Sequence, residues 1–313
     1  MAKRITLRIL SVMLTLILVS LAVYSLSHFS LGDSASYILS EEASQDDLIA
    51  YREALGVDNG YWKGYIEYLK SFFTLEWGTS ISGQSIRDVI LSRLPLTLSL
   101  SLFSTALSVA LFLSWAVISA IKGKKVAKAA EAFSVIAMSM PSFLVSILLV
   151  LLFSLLLKLF PVAGYIPASS SIIGYAKSMA LPTLALAIMN SPLYLRIYSS
   201  ELRRLMAEPY SQSIIAQGGD KKDVVLLSAL KPSLLLGTSL IAESLASALA
   251  GSAIIETVFA LPGFGSLMVS AALSRDVALS GTSILLITAL VSFVYIASEI
   301  VQMLLDPRMR RNG

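Results

Sequence analysis

The sequence predicts an all-α integral membrane protein with six transmembrane helices and an outer insertion after the first. Three observations predict it. Of 313 residues, 56% are hydrophobic and 14% charged, where soluble domains carry about 25% charged residues; the mean hydropathy is +0.78. Six stretches approach the roughly 20 apolar residues that a bilayer-crossing helix needs. Cysteine is absent and histidine occurs once, as His28. That removes a disulfide framework, a thiolate metal site, a cysteine nucleophile and a histidine-rich metal centre. A soluble enzyme of this length could not bury so much apolar surface, and disorder requires low hydrophobicity.

The first span is expected over Ile5–Ser27. Lys3, Arg4 and Arg8 precede it, but its apolar run exceeds a signal-peptide core and no A-x-A pattern follows, so it reads as a retained anchor. The others are expected over Leu96–Ile121, Ala132–Phe160, Met179–Ile197, Leu234–Ile255 and Gly281–Leu305. The fourth is the shortest and is punctuated by Pro182 and Pro192. With the N-terminus inside, alternation places sixteen of the 24 basic residues in inner segments, as the positive-inside rule requires. Both termini are therefore expected to be cytoplasmic. The resulting division is an anchor over 1–27, an extracytoplasmic segment over 28–94, a five-helix core over 95–305 with an inner loop over 196–233, and a cytoplasmic tail over 306–313.

The outer segment carries ten acids between Asp33 and Asp88. Its stretch Ala50–Leu75 has helical spacing with aromatics (Tyr51, Tyr61, Trp62, Tyr65, Tyr68, Phe72, Phe73). That suits an amphipathic cap on the membrane surface or a docking surface for an external partner. The inner loop Arg196–Lys231 reads as one amphipathic helix, a break at Gly218-Gly219-Asp220, and a second short helix capped by Asp220. It is either a solvated connector or a contact for a partner.

Catalytic constellations are missing. G-x-x-x-x-G-K-[ST] and H-E-x-x-H do not occur, and Gly123-Lys124 is followed by Lys125. His28 sits at the outer rim, and Gly263-Phe264-Gly265-Ser266 reads as a turn on the outer side. Ionisable residues within spans are costly and point to function. Glu243 lies midway along the fifth span among small residues (Ser239, Ser244, Ser247), which suits either a translocation path or an interhelix site. Glu299, near the inner end of the sixth span, reads as structural.

In order along the chain come Leu55-Gly56-Val57-Asp58, Tyr65, Trp77-Gly78-Thr79-Ser80, Leu94-Pro95-Leu96-Thr97-Leu98, Met140-Pro141-Ser142-Phe143, Phe160-Pro161-Val162-Ala163-Gly164-Tyr165 and Leu181-Pro182-Thr183-Leu184-Ala185-Leu186. Then follow Ile255-Glu256-Thr257-Val258-Phe259, Leu261-Pro262-Gly263-Phe264-Gly265, Arg275-Asp276 and Asp306-Pro307-Arg308. Together the chain resembles the permease subunits of binding-protein-dependent ABC importers, in the dipeptide/oligopeptide/nickel branch. The resemblance covers almost the whole chain. Glu256, Phe259, Pro262, Gly263 and Gly265 fall in its outer-side motif.

The resemblance implies a type I importer permease fold and an ATPase-coupling loop at Tyr210, Ile214, Ala216, Gln217, Gly218, Gly219 and Asp220. Tyr210 and Gly218 fit the family pattern. Ile214, Gln217 and Ser228 stand where it has a small residue, a lysine and a histidine. It implies a passive conduit carrying di- or oligopeptides, with Ser239, Glu243 and Ser247 as candidates for the path or for helix packing. The implied partners are a second homologous permease, two cytoplasmic ATPases, an extracytoplasmic substrate-binding protein and the lipid bilayer of the cell membrane. Neither nucleic acid nor any cofactor or metal is expected. The same machinery carrying nickel or oligosaccharides is the alternative within the class; an ion-coupled carrier is the alternative outside it.

Overall fold

The structure, a computed structural model, describes residues 2–38 and 60–305. The motif residues Leu55–Asp58 and Asp306–Arg308 lie outside the described residues, as does the first part of the aromatic stretch from Ala50. The elements are α1 (Ala2–Ile38), α2 (Tyr61–Thr74), α3 (Ile86–Lys122), α4 (Lys124–Ser139), α5 (Ser142–Leu156), α6 (Ile172–Met206), α7 (Pro209–Ala216), α8 (Lys221–Val224), α9 (Leu230–Val258), α10 (Phe264–Leu273) and α11 (Val277–Leu305). Among the described residues the only β pairing is an isolated bridge between Thr79 and Ser85.

Five of these helices contain runs long and apolar enough to cross a membrane, in α1, α3, α6, α9 and α11. The expected third span is broken instead of straight. α4 and α5 meet at a 109° bend, and count as a sixth span only when taken together. The break has a local cause. Pro141 precedes α5 in an extended conformation (φ −65°, ψ 147°), as does Met140 (φ −99°, ψ 132°), because proline disfavours helical angles in the residue before it. The fourth span is corrected in the other direction. α6 has 35 residues and takes both Pro182 and Pro192 into its interior. At 1.5 Å per residue it is about 52 Å long, well beyond a hydrocarbon core of about 30 Å.

The described residues form two compact units. One holds residues 2–3, 95–266 and 293–305, the other 4–38, 60–94 and 267–292. In the first, α6 packs against α9, α4, α5 and the end of α3. One apolar cluster joins Leu100, Val145, Leu149, Leu181, Ala185, Leu186, Ala248 and Ile255. A second joins Phe112, Ala116, Ala130, Leu195, Tyr198 and Leu202. The buried Tyr198 hydroxyl shares a 2.6 Å hydrogen bond with Ser233, which removes the cost of leaving that polar group unpaired. In the second unit, α2 is tied to α1 by Tyr65–Ser20 at 2.8 Å and Tyr61–Ser25 at 2.6 Å.

Candidate functional site

Three groups of predicted residues fall in the first unit, each on a different part of it. The first is the inner loop. The single amphipathic helix expected there is two elements: α6 runs on to Met206, and α7 starts anew with Pro209 at its first turn, where a missing N–H costs nothing. α7 ends in a Schellman arrangement. Gly219 N–H donates to the Ile214 carbonyl at 2.9 Å and Gly218 N–H to the Ile215 carbonyl at 3.0 Å, satisfying carbonyls that the helix end leaves open.

The two glycines serve different needs. Gly218 adopts φ +91°, a region that side-chain-bearing residues avoid. Gly219 sits so close to Ile214 that an added Cβ would come within 2.7 Å of its side chain and 2.9 Å of its carbonyl oxygen. Asp220 then caps α8 in a reciprocal box: Asp223 N–H donates to its carboxylate at 2.9 Å, and Asp220 N–H donates to that of Asp223 at 2.9 Å. The N–H of Asp223 holds the Asp220 carboxyl below the usual aspartate range.

α8 continues through a π-helical stretch, Val225–Ala229, into α9. α7 is fastened to this stretch by a buried 2.7 Å bond between Ser211 and Ser228, and Ser211 also donates to the Leu205 carbonyl. Ser228 therefore makes the internal contact at the position where the family pattern has a histidine. On the open side Tyr210 is 67% exposed, and Ala216 and Gln217 are exposed with it, while Ile214 is half-buried. The result is a short helix braced at both ends, with Tyr210 and Gln217 one heptad apart on its free face.

The second group lies along α9, where Ser239, Glu243 and Ser247 follow one another at four-residue steps and share a face. Their neighbours along the helix, Ala242, Ser244, Ala246 and Ala248, are buried. The structure gives Glu243 a partner, since the Tyr295 hydroxyl of α11 donates to its carboxylate at 2.6 Å. Ser247 donates to Asn190 Oδ1 of α6 at 3.1 Å. Asn190 Nδ2 is buried with no hydrogen-bond partner. Asn190 and Tyr295 were not singled out from the sequence. An uncharged polar residue between two span prolines was the available signal for Asn190.

The third group is a closed polar knot. Glu256 is fully buried. Thr97 Oγ1 donates to its Oε1 at 2.6 Å, and Ser266 N–H donates to its Oε2 at 2.7 Å. Thr97 Oγ1 in turn accepts from Phe264 N–H at 2.8 Å. Thr97 and Glu256 thus satisfy two of the open N–H groups of α10, those of Phe264 and Ser266, and a carboxylate at a helix N-terminus is also favoured by the helix dipole. Gly263 lies against this carboxylate, so that a Cβ there would overlap it, and a Cβ on Gly265 would come within 2.7 Å of the Ala253 backbone. The expected turn at Gly263–Ser266 is a helix start instead: Phe264, Gly265 and Ser266 belong to α10. Phe259 is buried and its carbonyl accepts from Gly164 N–H at 3.0 Å, while Pro262 is exposed.

A cavity of about 480 Å³ in the same unit is lined by Phe103, Phe153, Phe160, Tyr175 and Met179. Its walls are apolar, so it suits hydrocarbon better than a peptide backbone. Among the described residues no cluster of His, Asp or Glu could hold a metal ion.

The family model for the inner membrane component of binding-protein-dependent transport systems matches residues 112–311. The chain belongs to this family. A companion model for the N-terminal part of the same component matches residues 1–101. The inner loop, the α9 face and Glu256 all fall within the longer match. The chain is 29% identical over 321 residues to the dipeptide transport system permease protein of Lactococcus lactis, covering 99% of this chain and 100% of that protein. It is 30% identical over 273 residues to that of Bacillus subtilis, covering 86% and 85%. To the oligopeptide transport system permease protein of Haemophilus influenzae it is 28% identical over 275 residues, covering 87% and 88%. The protein is thus a multi-pass membrane permease of the importer class, as its composition and motifs led us to expect.

Proposed function

We propose that this permease forms half of the translocation path for di- or oligopeptides, with both termini in the cytoplasm and ATP hydrolysis in separate subunits. Its partners are a second permease of the same family, two ATPases below and a substrate-binding protein outside. The peptide assignment rests on the relatives named above, which are dipeptide and oligopeptide permeases matched over most of their length. The coupling assignment rests on one observation, the braced element α7–Gly218–Gly219–Asp220–α8. A transmitted push requires a contact that does not fray. The Schellman end, the capping box and the Ser211–Ser228 bond supply that stiffness, and α8 feeds directly into α9.

In this reading ATP binding draws the two ATPases together, and Tyr210 and Gln217 on the free face of α7 receive the movement. α9 then carries it to the Ser239–Glu243–Ser247 face. Two conformations a few kcal/mol apart suffice, biased by ATP on one side and by the binding protein on the other.

The test is Gly218→Pro in the full complex in vesicles. Proline cannot reach φ +91° and has no N–H for the Ile215 carbonyl. ATP-driven peptide uptake is expected to fall sharply while the permease still assembles in the membrane. Unchanged uptake would remove the coupling assignment.

A further inference from the structure

We propose that α2 is embedded in the leaflet at the Leu26 end of α1, with Trp62, Ile66 and Phe73 against lipid acyl chains. That leaflet is the outer one in the orientation proposed above. At about 100° per residue the surface of α2 falls into three sectors. Tyr61, Tyr65 and Tyr68 face α1, where all three rings pack around Tyr24. Lys63, Glu67 and Lys70 form an exposed polar sector. Between these two lie Trp62, Ile66 and Phe73, exposed by 66%, 63% and 73%.

The depth of the contact with α1 selects lipid as the occupant of that third sector. The apolar span of α1 is Thr6–Leu26. Tyr65 reaches Ser20, six residues inside its end, and its hydroxyl also lies 3.3 Å from the Ile17 carbonyl. At 1.5 Å per residue, Ser20 is about 9 Å below the end of the span. Surface-bound amphipathic helices seat their apolar face about 5–10 Å into the headgroup and acyl boundary. A water-soluble binding protein does not reach that level, whereas acyl chains surround α1 there. Both hydroxyls are buried and paired, as groups at such depth must be. The basic residues on the water-facing sector complete the arrangement.

The chain lacks cysteine, so single labels can be placed without changing the background. Nitroxides at Trp62→Cys, Ile66→Cys and Phe73→Cys, in the full complex in phosphatidylcholine vesicles, are expected to collide with oxygen several-fold more than with a water-soluble nickel chelate. Labels at Lys63→Cys, Glu67→Cys and Lys70→Cys are expected to show the reverse. Nickel access at 62, 66 and 73 would overturn the proposal. So would immobilisation of those labels only when the cognate binding protein is added, which would give the face to a protein partner. As a second measurement, phosphatidylcholine brominated on its acyl chains should quench the wild type more than Trp62→Phe, and equal quenching would also overturn it. Neither readout requires ATP or transport, so failure here is separate from failure of the import function.

Discussion

The Ser80 hydroxyl donates to the Asp276 carboxylate at 2.5 Å, joining positions 196 apart in sequence. The same oxygen, Oδ2, accepts from Ile81 N–H at 3.0 Å, while Oδ1 accepts from Leu279 N–H at 2.9 Å. Asp276 therefore caps α11 with one oxygen and holds the turn before α3 with the other. It is almost wholly buried, so removing it strands three donors. Asp276→Ala is expected to destabilise the permease by about 2–5 kcal/mol, from a cap plus unsatisfied buried groups. Ser80→Ala should cost about 1 kcal/mol. Thermal unfolding of the purified protein in lipid nanodiscs, with limited trypsin digestion at Arg87, reads both effects. Equal melting of Asp276→Ala and wild type would show that the carboxylate is not holding the turn.

The knot around Glu256 makes a sharper forecast, because its parts interlock. Gly263→Ala puts a methyl group into the Glu256 carboxylate. The clash can be relieved only by moving Glu256 off Ser266 N–H or by shifting the start of α10. A loss of about 1–3 kcal/mol follows from overpacking alone. Thr97→Val keeps the shape of the side chain but leaves Phe264 N–H and Glu256 Oε1 without their partner, for a similar loss. The double variant should lose less than the two added together, since both disturb one network. Chemical denaturation in detergent micelles measures all three, and strict additivity would contradict the coupling.

How far these features could be read in advance depended on their range along the chain. The spans were legible because a bilayer imposes a long apolar run on any helix that crosses it. The bend between α4 and α5 was not drawn from that signal, since apolar residues continue on both sides of Met140–Pro141; the proline itself was the evidence to weigh. α6 was read too short because Pro182 and Pro192 look like breaks, yet packing against α9, α4 and α5 carries the helix through them. The break after Gln217 was visible as Gly218-Gly219-Asp220, a purely local pattern. Thr97–Glu256, Ser80–Asp276 and Glu243–Tyr295 bring together residues 159, 196 and 52 apart. No periodicity encodes such pairs, so motif residues were found without the reason they occur together.

The capping box at the start of α8 sets a pH dependence. Because the Asp220 carboxyl is held below its usual value, its contribution is fully present above the ordinary aspartate range near 3.9. It is lost only as pH falls through the lowered value. The inner loop should therefore be unchanged from pH 8 down to pH 5. Asp220→Asn, which can still accept from Asp223 N–H, should retain the helix start; Asp220→Ala should fray it. Amide hydrogen exchange over residues 217–229 in the assembled complex follows this directly. Increased exchange on going from pH 8 to pH 5, after correction for the intrinsic rate, would mean that another group titrates there.

The Glu243–Tyr295 pair separates a packing role from a role in the path. Glu243→Gln keeps an oxygen for the Tyr295 hydroxyl, so the contact between α9 and α11 is preserved and stability should shift by less than about 1 kcal/mol. Tyr295→Phe removes the donor and leaves the half-buried Glu243 side chain without its bond, for a loss of about 1–3 kcal/mol. If the Ser239–Glu243–Ser247 face lines the path, peptide uptake should fall in Glu243→Gln while ATP hydrolysis and melting temperature stay near those of the wild type. If the face serves packing alone, uptake should follow stability, so that Tyr295→Phe is the more damaged variant and Glu243→Gln transports normally. Asn190 supplies a second reading of the same question. Its buried Nδ2 lacks a partner, so Asn190→Asp exchanges an unsatisfied donor for an acceptor beside the Ser247 hydroxyl. A change in the rank order of transported peptides in that variant, with unaltered unfolding, would place α6 and α9 together at the path.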